Sequence, residues 1–326
     1  MLKDVPGLVD LQINGWGGID FSDAALTDES FARACQGIFD SGTSAFVPTI
    51  VTSGLDVYEN NLPIIAKAIK KPELAARVLG VHIEGPFISP SDGARGAHPL
   101  QHVKEPDIDF FDRLNELADG NVKILTVAAE LKGVDALIRH AIQKGVCVSL
   151  GHHLAHDDDI AAAAKAGAKG LTHLGNGVPS NVNRHANPIW AALAEDDLTA
   201  MIITDSHHVP AALIKTILKV KGVDNTIVVS DGTAMVGMPP GKYNMFGADV
   251  LLDETGKLYN PVTGYLAGSG STMLQCINYL ASLKFLTFEQ LIQVGYYNPL
   301  KFLDLDIQPE TKALKYDDQE CKFLVE

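Results

Sequence analysis

The feature that most constrains this chain is an apolar run, short and rich in β-branched residues, that recurs eight times. The runs are GLVDLQI, SAFVPTI, VLGVHIE, VKILTVAAE, VCVSLGH, GLTHL, LTAMIITD and TIVVSD, each bounded by turn-forming or polar residues. Segments of helical character lie between them: TDESFARACQGIFDSG, DVYENNLPIIAKAIKK, DFFDRLNELADG, VDALIRHAIQKG, HDDDIAAAAKAGAKG, NPIWAALAED and PAALIKTILKVKG. Several open on Asp or Thr and close on Gly, the expected start and stop chemistry of helices. Continuous apolar runs alternating with helices indicate parallel strands buried on both faces. Eight such units predict an α/β fold of the (β/α)8 TIM-barrel type.

A chain of 326 residues suits one large domain or two ordinary ones. The strand series favours one domain over residues 1–326, with a barrel core over about 6–300 and a short tail of weak periodicity over 301–326. Residues 233–268 break the pattern with Gly and Pro turns around short apolar pieces, and read as an inserted hairpin-like loop after the eighth strand. Helices are expected again in STMLQCINYLASLKF and TFEQLIQVG.

An apolar share of 46 % with 20 % charged residues allows a sizeable core without disulfide or metal staples. The net charge of −14 works against phosphate backbones and anionic lipid surfaces, so neither nucleic acid nor a membrane is expected as a partner. The opening MLKDVPGLVDLQING has no signal-like apolar stretch, and the expected location is the cytoplasm. Cys35, Cys147, Cys276 and Cys321 form no C-x-x-C pair and read as reduced thiols. Any metal must therefore take nitrogen and oxygen ligands.

Barrels of this kind carry chemistry at the C-terminal ends of their strands. Polar groups recur there: Gln12 and Asn14, His82 and Glu84, Glu130, His152 and His153, His173 and Asn176, Asp205 and His208, and Asp231. A single carboxylate at a strand end is more often a cap or an ion-pair member than a ligand. Capping alone does not produce this set, because caps use Ser, Thr, Asp or Asn and not imidazole. Two neutral imidazoles and a carboxylate make an open catalytic zinc site, here His152, His173 and one of Glu84 or Glu130. Asp231 is then free to act as a general base.

The blocks PGLVDLQINGWGGIDF, VHIEGPF, RGAHP, VSLGHH, THLGNG, DSHHV, VSDGTA and LAGSGSTM resemble, in order, those of the N-acetylglucosamine-6-phosphate deacetylases of the amidohydrolase superfamily. The resemblance runs from about Pro6 to Pro299. It implies a metal-dependent hydrolase barrel, Glu84 rather than Glu130 as the carboxylate ligand, and His152 and His173 as the imidazole ligands. One divalent ion is implied, Zn²⁺ first, with Fe²⁺ or another divalent ion as the alternative. His153 and His156 fall to helix-start or surface roles. Asp231 and His98 are implied to be catalytic, with His98 reaching the acyl region. Substrate contacts are implied at Ala97, His98, Asn176, Gly177, Asp205, His208, Leu266, Ala267 and Gly268. Arg184 falls where an arginine grips the sugar phosphate, in some members across the interface of a homodimer.

The departures are specific. Family members usually frame the barrel with a small β-sandwich; here the PG block starts at residue 6 and the tail is short, so the sandwich is expected to be absent or vestigial. The first strand carries Q-x-N instead of the H-x-H of two-metal members, which makes Gln12 and Asn14 a supporting or vestigial metal site. Arg184 is followed by HANP where REPG is common. The expected activity is removal of acetyl from an N-acetylated amino-sugar phosphate, N-acetylglucosamine 6-phosphate first. The alternatives are an amidohydrolase for another N-acyl sugar or a cyclic amide, and a non-catalytic sugar-phosphate-binding barrel.

Overall fold

The computed structural model describes residues 2–245, 248–262, 264–308 and 314–325. Eight strands form one parallel sheet in which neighbours in sequence are neighbours in space. They are β1 (Leu8–Ile13), β2 (Thr43–Val51), β3 (Val81–Glu84), β4 (Val122–Val127), β5 (Cys147–Leu150), β6 (Gly170–Leu171), β7 (Thr199–Ile203) and β8 (Thr226–Val229). The sheet closes into a barrel just beyond the ends of β1 and β8. There Asp231 donates its backbone N–H to Gln12 O at 2.9 Å, and Asn14 donates its own to Gly232 O at 2.6 Å. All eight predicted strands are present. The sixth is the shortest, because the chain turns out of the sheet where His173 takes a φ of +34°.

Helices α1 (Asp28–Asp40), α2 (Leu55–Ile69), α3 (Ile108–Leu117), α4 (Val134–Gln143), α5 (Asp157–Ala166), α6 (Pro188–Ala194) and α7 (Ala211–Lys221) connect successive strands. In α1, Thr27 accepts the Ser30 N–H at 3.1 Å while Ser30 Oγ accepts the Thr27 N–H at 3.0 Å, satisfying two donors that the first turn leaves free. Phe31, Ala34, Cys35, Ile38 and Phe39 then lie on one buried face at helical spacing. Helix α8 (Met273–Ser282) packs across β1 and β8, where the barrel closes.

The inside of the barrel holds a polar layer. His82 Nε2 lies 2.7 Å from Thr126 Oγ1 and its Nδ1 lies 3.3 Å from Thr49 Oγ1. Thr126 continues to Thr172 at 2.8 Å, and Thr172 donates to Ser149 at 2.6 Å. His82 is thus occupied below the strand ends, consistent with a supporting place on the same strand face as Glu84.

Two regions hold more structure than their sequence signals. The insertion forms a three-stranded antiparallel sheet, Gly241–Met245, Ala248–Leu252 and Leu258–Tyr259. Leu2–Val5, Leu314–Asp317 and Lys322–Val325 form a second one, in which Phe323 is pinned through both backbone groups by the Asn278 side chain of α8. Four-residue strands offer only two inward positions each, too few to register as periodic. No helix among the described residues is long and apolar enough to cross a membrane.

Candidate metal centre and active site

The turns that end β5, β6 and β8 share one device. His152, His173 and Asp231 each adopt positive φ, at +52°, +34° and +47°. This conformation is costly for residues with a Cβ and is retained where surrounding structure holds it, often at functional sites. Here it turns three side chains toward the barrel axis as the chain leaves each strand. Glu84, the last residue of β3, joins them directly.

Glu84 Oε1 lies 3.0 Å from His173 Nε2 and 3.2 Å from His152 Nε2, and the two imidazole nitrogens are 3.0 Å apart. All three residues are buried. His152 Nδ1 is 2.8 Å from the carbonyl of Ala94, which can only accept, so Nδ1 carries a proton and the ring in its neutral form presents a bare lone pair at Nε2. A nitrogen lone pair and a carboxylate oxygen facing each other at this distance repel unless a positive charge lies between them. The donor set and its carbonyl support match a divalent cation site of the His₂-carboxylate kind. Burial opposes ionisation of Glu84, yet positive charge in front of it, carried by the facing His152 and His173 rings when they are protonated and by a cation when they are not, holds its carboxyl well below the usual range. His173 is raised despite burial, chiefly by its hydrogen bond to Glu84.

A second carboxylate adjoins this centre through β1. Gln12 donates its side-chain N–H groups to Glu84 Oε1 at 2.9 Å and Asp231 Oδ1 at 3.1 Å, and Asn14 donates to the same Asp231 oxygen at 2.8 Å. Burial, then the Glu84 charge, pushes the Asp231 pKa up to about 6. Asp10, two residues before Gln12 on the same strand face, accepts from Ser230 Oγ at 2.5 Å and from the Ser230 and Gln12 N–H groups at 3.2 Å, fastening the turn before Asp231.

His98 Nε2 comes to 3.2 Å from His152 Nε2, so Glu84, His98 and His152 also form a compact potential ligand group. Burial, then neighbouring His152, lowers the His98 pKa to about 3. Gly177 lies over both imidazole rings, where an added Cβ would sit 3.0 Å from His152 Nδ1 and 3.1 Å from His173 Cε1. Asn176 donates to His173 O through its backbone at 2.9 Å and its side chain at 3.3 Å.

Asp205 accepts the His207 and His208 N–H groups at 2.9 Å each and His208 Nδ1–H at 2.7 Å, and its pKa falls to about 2 because His208 outweighs burial. Its carboxylate is committed to holding His208. Leu266, Ala267 and Gly268 are half-buried and run into Ser269, which donates to Asp231 O through its N–H at 3.2 Å and to Asp205 through Oγ at 3.3 Å. Ala97 is exposed beside His98. Arg184 is exposed on residues 180–186, outside the buried cluster.

Glu130 is elsewhere, accepting the Leu154 N–H at 2.7 Å to anchor the segment after β5. His156 caps α5, as expected of a helix-start residue. His153 is not a surface residue: it is buried in a small cavity with Leu174, Asn176, Pro188 and Ile189, because α6 folds over the end of β5. Unforeseen in the sequence were Ala94, which orients His152, and Thr52, which contacts His98 at 2.9 Å. Backbone carbonyls carry no sequence signature, and Thr52 reads as an ordinary strand-end residue.

No family model matches the chain. It is 34 % identical over 314 residues to the N-acetylglucosamine-6-phosphate deacetylase of Bos taurus, covering 92 % of this chain and 74 % of that protein. It is 29 % identical over 305 residues to the N-acetylgalactosamine-6-phosphate deacetylase of Escherichia coli O157:H7, covering 92 % and 78 %. The fold superposes with a TM-score of 0.88 and 27 % identity on a mutant N-acetyl-D-glucosamine-6-phosphate deacetylase of Mycobacterium smegmatis in complex with N-acetyl-D-glucosamine-6-phosphate, covering 99 % of this chain and 84 % of that one. With identity, coverage and fold in agreement, the chain belongs to the N-acetylglucosamine-6-phosphate deacetylase family of amidohydrolases.

Proposed function

We propose that this protein is a metal-dependent deacetylase that hydrolyses the acetamide of N-acetylglucosamine 6-phosphate to glucosamine 6-phosphate and acetate. The observation that carries the reading is the convergence of Glu84 Oε1, His152 Nε2 and His173 Nε2 within 3.2 Å, joined through Gln12 to a separate carboxylate, Asp231. A divalent ion held by Glu84, His152 and His173, zinc in our reading, would acidify water and polarise the amide carbonyl.

The chain's own groups then divide the work. Asp231 takes a proton from the attacking water. Its Oδ1 is saturated by Gln12 and Asn14, so Oδ2 receives the proton. With Oδ2 left open, the same carboxyl later returns the proton to the departing amine as the C–N bond breaks. His98, neutral because burial lowers its pKa, donates from Nε2 to the amide oxygen.

His208, held through Nδ1 by Asp205, offers Nε2 to the sugar, and Ala97, Asn176, Gly177 and Leu266–Gly268 complete the contacts. Arg184 grips the phosphate with its guanidinium fork. Its loop is stiffened where Trp190 Nε1 donates to Arg184 O at 2.9 Å and Asn183 Oδ1 accepts the His185 and Ala186 N–H groups. Exposed Val182 and Trp190 flank it, which supports a homodimer in which Arg184 serves the partner's site. Free, buried Cys35, Cys147 and Cys276 support a reducing, cytoplasmic setting.

The relatives favour one further reading, deacetylation of N-acetylgalactosamine 6-phosphate. The experiment is acetate release from both sugar phosphates and from unphosphorylated N-acetylglucosamine, with metal content quantified. Turnover confined to phosphorylated substrates, and lost in Asp231→Asn, supports the proposal. No acetate from any of them, by protein carrying one divalent ion, overturns it.

A further inference from the structure

Two imidazoles face one another beside the proposed metal, and their outer nitrogens are wired in opposite senses. His152 Nδ1 donates to a carbonyl, which bares Nε2. His98 Nδ1 accepts the Thr52 backbone N–H at 3.3 Å and lies 2.9 Å from Thr52 Oγ1. An amide N–H can only donate, so His98 Nδ1 is the acceptor and its proton sits on Nε2, aimed into the site. The 3.2 Å approach of the two Nε2 atoms fits this pairing, with His98 donating and His152 accepting.

We propose that Thr52 is a positioning residue that fixes the His98 tautomer, making His98 a hydrogen-bond donor to substrate and barring it from becoming a fourth metal ligand. The distinction matters because Glu84, His98 and His152 are close enough to share a cation themselves. A bare His98 Nε2 would turn to the ion, fill the position that water or substrate needs, and remove the donor from the amide oxygen.

The surrounding structure reserves space for this contact. Thr52 is fully buried, and its Oγ1 also lies 3.4 Å from Glu84 O. Gly85, which follows the ligand Glu84, has φ +85°, and a Cβ there would lie 2.2 Å from Thr52 Oγ1. The Glu-Gly step of VHIEGPF thus serves two rings, with Glu84 beside His152 and the bare Gly85 making room for the hydroxyl at His98. The backbone of His98 is held separately, its carbonyl accepting from Arg95 at 2.6 Å, so the hydroxyl acts on the ring and not on the loop.

The inference rests on the metal reading above, and a substrate-free readout separates the two. The full-length protein is loaded with Co²⁺, and its visible absorption is compared among wild type, Thr52→Val, Thr52→Ser and Thr52→Val/His98→Asn. Thr52→Val, whose loss of the hydroxyl leaves one long hydrogen bond at Nδ1, is expected to shift the spectrum as a nitrogen ligand is added. Thr52→Ser should keep the wild-type spectrum, and the double variant should revert to it. The kcat of Thr52→Val should fall about tenfold with KM little changed. If Thr52→Val does not fold, Thr52→Ala carries the same expectation. Failure of wild type to bind Co²⁺ overturns the metal reading. Binding with a Thr52→Val spectrum identical to wild type overturns the role of Thr52.

Discussion

Gln12 and Asp231 are joined across the closure of the barrel, the Gln12 side-chain amide donating to Asp231 Oδ1 at 3.1 Å while its other hydrogen serves Glu84 Oε1 at 2.9 Å. One neutral group therefore sets the spacing between a proposed metal ligand and a proposed base. An H-x-H pair at these two positions would offer two further imidazole ligands. Here the strand instead supplies hydrogens to carboxylates, which suits one ion and a base kept free of it.

Replacing Gln12 by Leu removes both hydrogen bonds without adding charge. Hydrogen bonds to charged groups contribute roughly 1.5–3 kcal/mol each. The expected result is a fall in kcat of about tenfold to a hundredfold, with bound metal still near one equivalent, because Glu84, His152 and His173 are untouched. Steady-state kinetics alongside metal analysis checks this. Unchanged kcat at full metal content would remove Gln12 from the account.

Gly177 packs against the His152 and His173 rings, the proposed ligands, at a φ of +62°. Gly177→Ala meets two penalties, the left-handed conformation at roughly 1–2 kcal/mol and a Cβ crowded against His152 and His173. Weaker metal affinity is expected, measured by competition with a chelating dye, together with a lower Tm. Wild-type affinity would mean that the rings yield without cost.

Asp10 gives a pH signature. Burial raises its pKa from 3.8 to about 7, against the hydrogen bonds from Ser230. Between pH 4 and 7 the unfolded chain then releases a proton that the folded protein keeps, so this group's contribution to stability falls as pH rises, by up to about 1.4 kcal/mol per pH unit. Asp10→Asn keeps an acceptor for the Gln12 and Ser230 N–H groups and cannot titrate. Denaturant melts from pH 4 to 7 should show the variant gaining on wild type as pH rises. A constant difference across that window would contradict the raised pKa.

Much of this architecture is legible in the sequence, for identifiable reasons. Strands buried on both faces read as unbroken apolar runs, so VCVSL and TIVVS announce themselves, and Glu84, His152, His173 and Asp231 stand out where those runs stop. Asp10, Gln12 and Asn14 alternate along β1 and the residue after it, a period-two pattern, but a lone acid inside an apolar run gives no sign that it fastens the turn at Ser230. The burial of His153 is not legible locally, because it depends on α6, which lies more than thirty residues away. The contacts of Ala94 and Thr52 are set by loop geometry, and no residue pattern encodes which imidazole nitrogen carries a proton.

Hydrolysis as proposed depends on a divalent ion at Glu84, His152 and His173. Acetate release from N-acetylglucosamine 6-phosphate, followed before chelation, after chelation and after zinc is restored, tests it directly. Activity should vanish with the metal and return with one equivalent, and Glu84→Gln should show neither binding nor recovery. Undiminished acetate release from metal-free protein, or full zinc occupancy in Glu84→Gln, would contradict it.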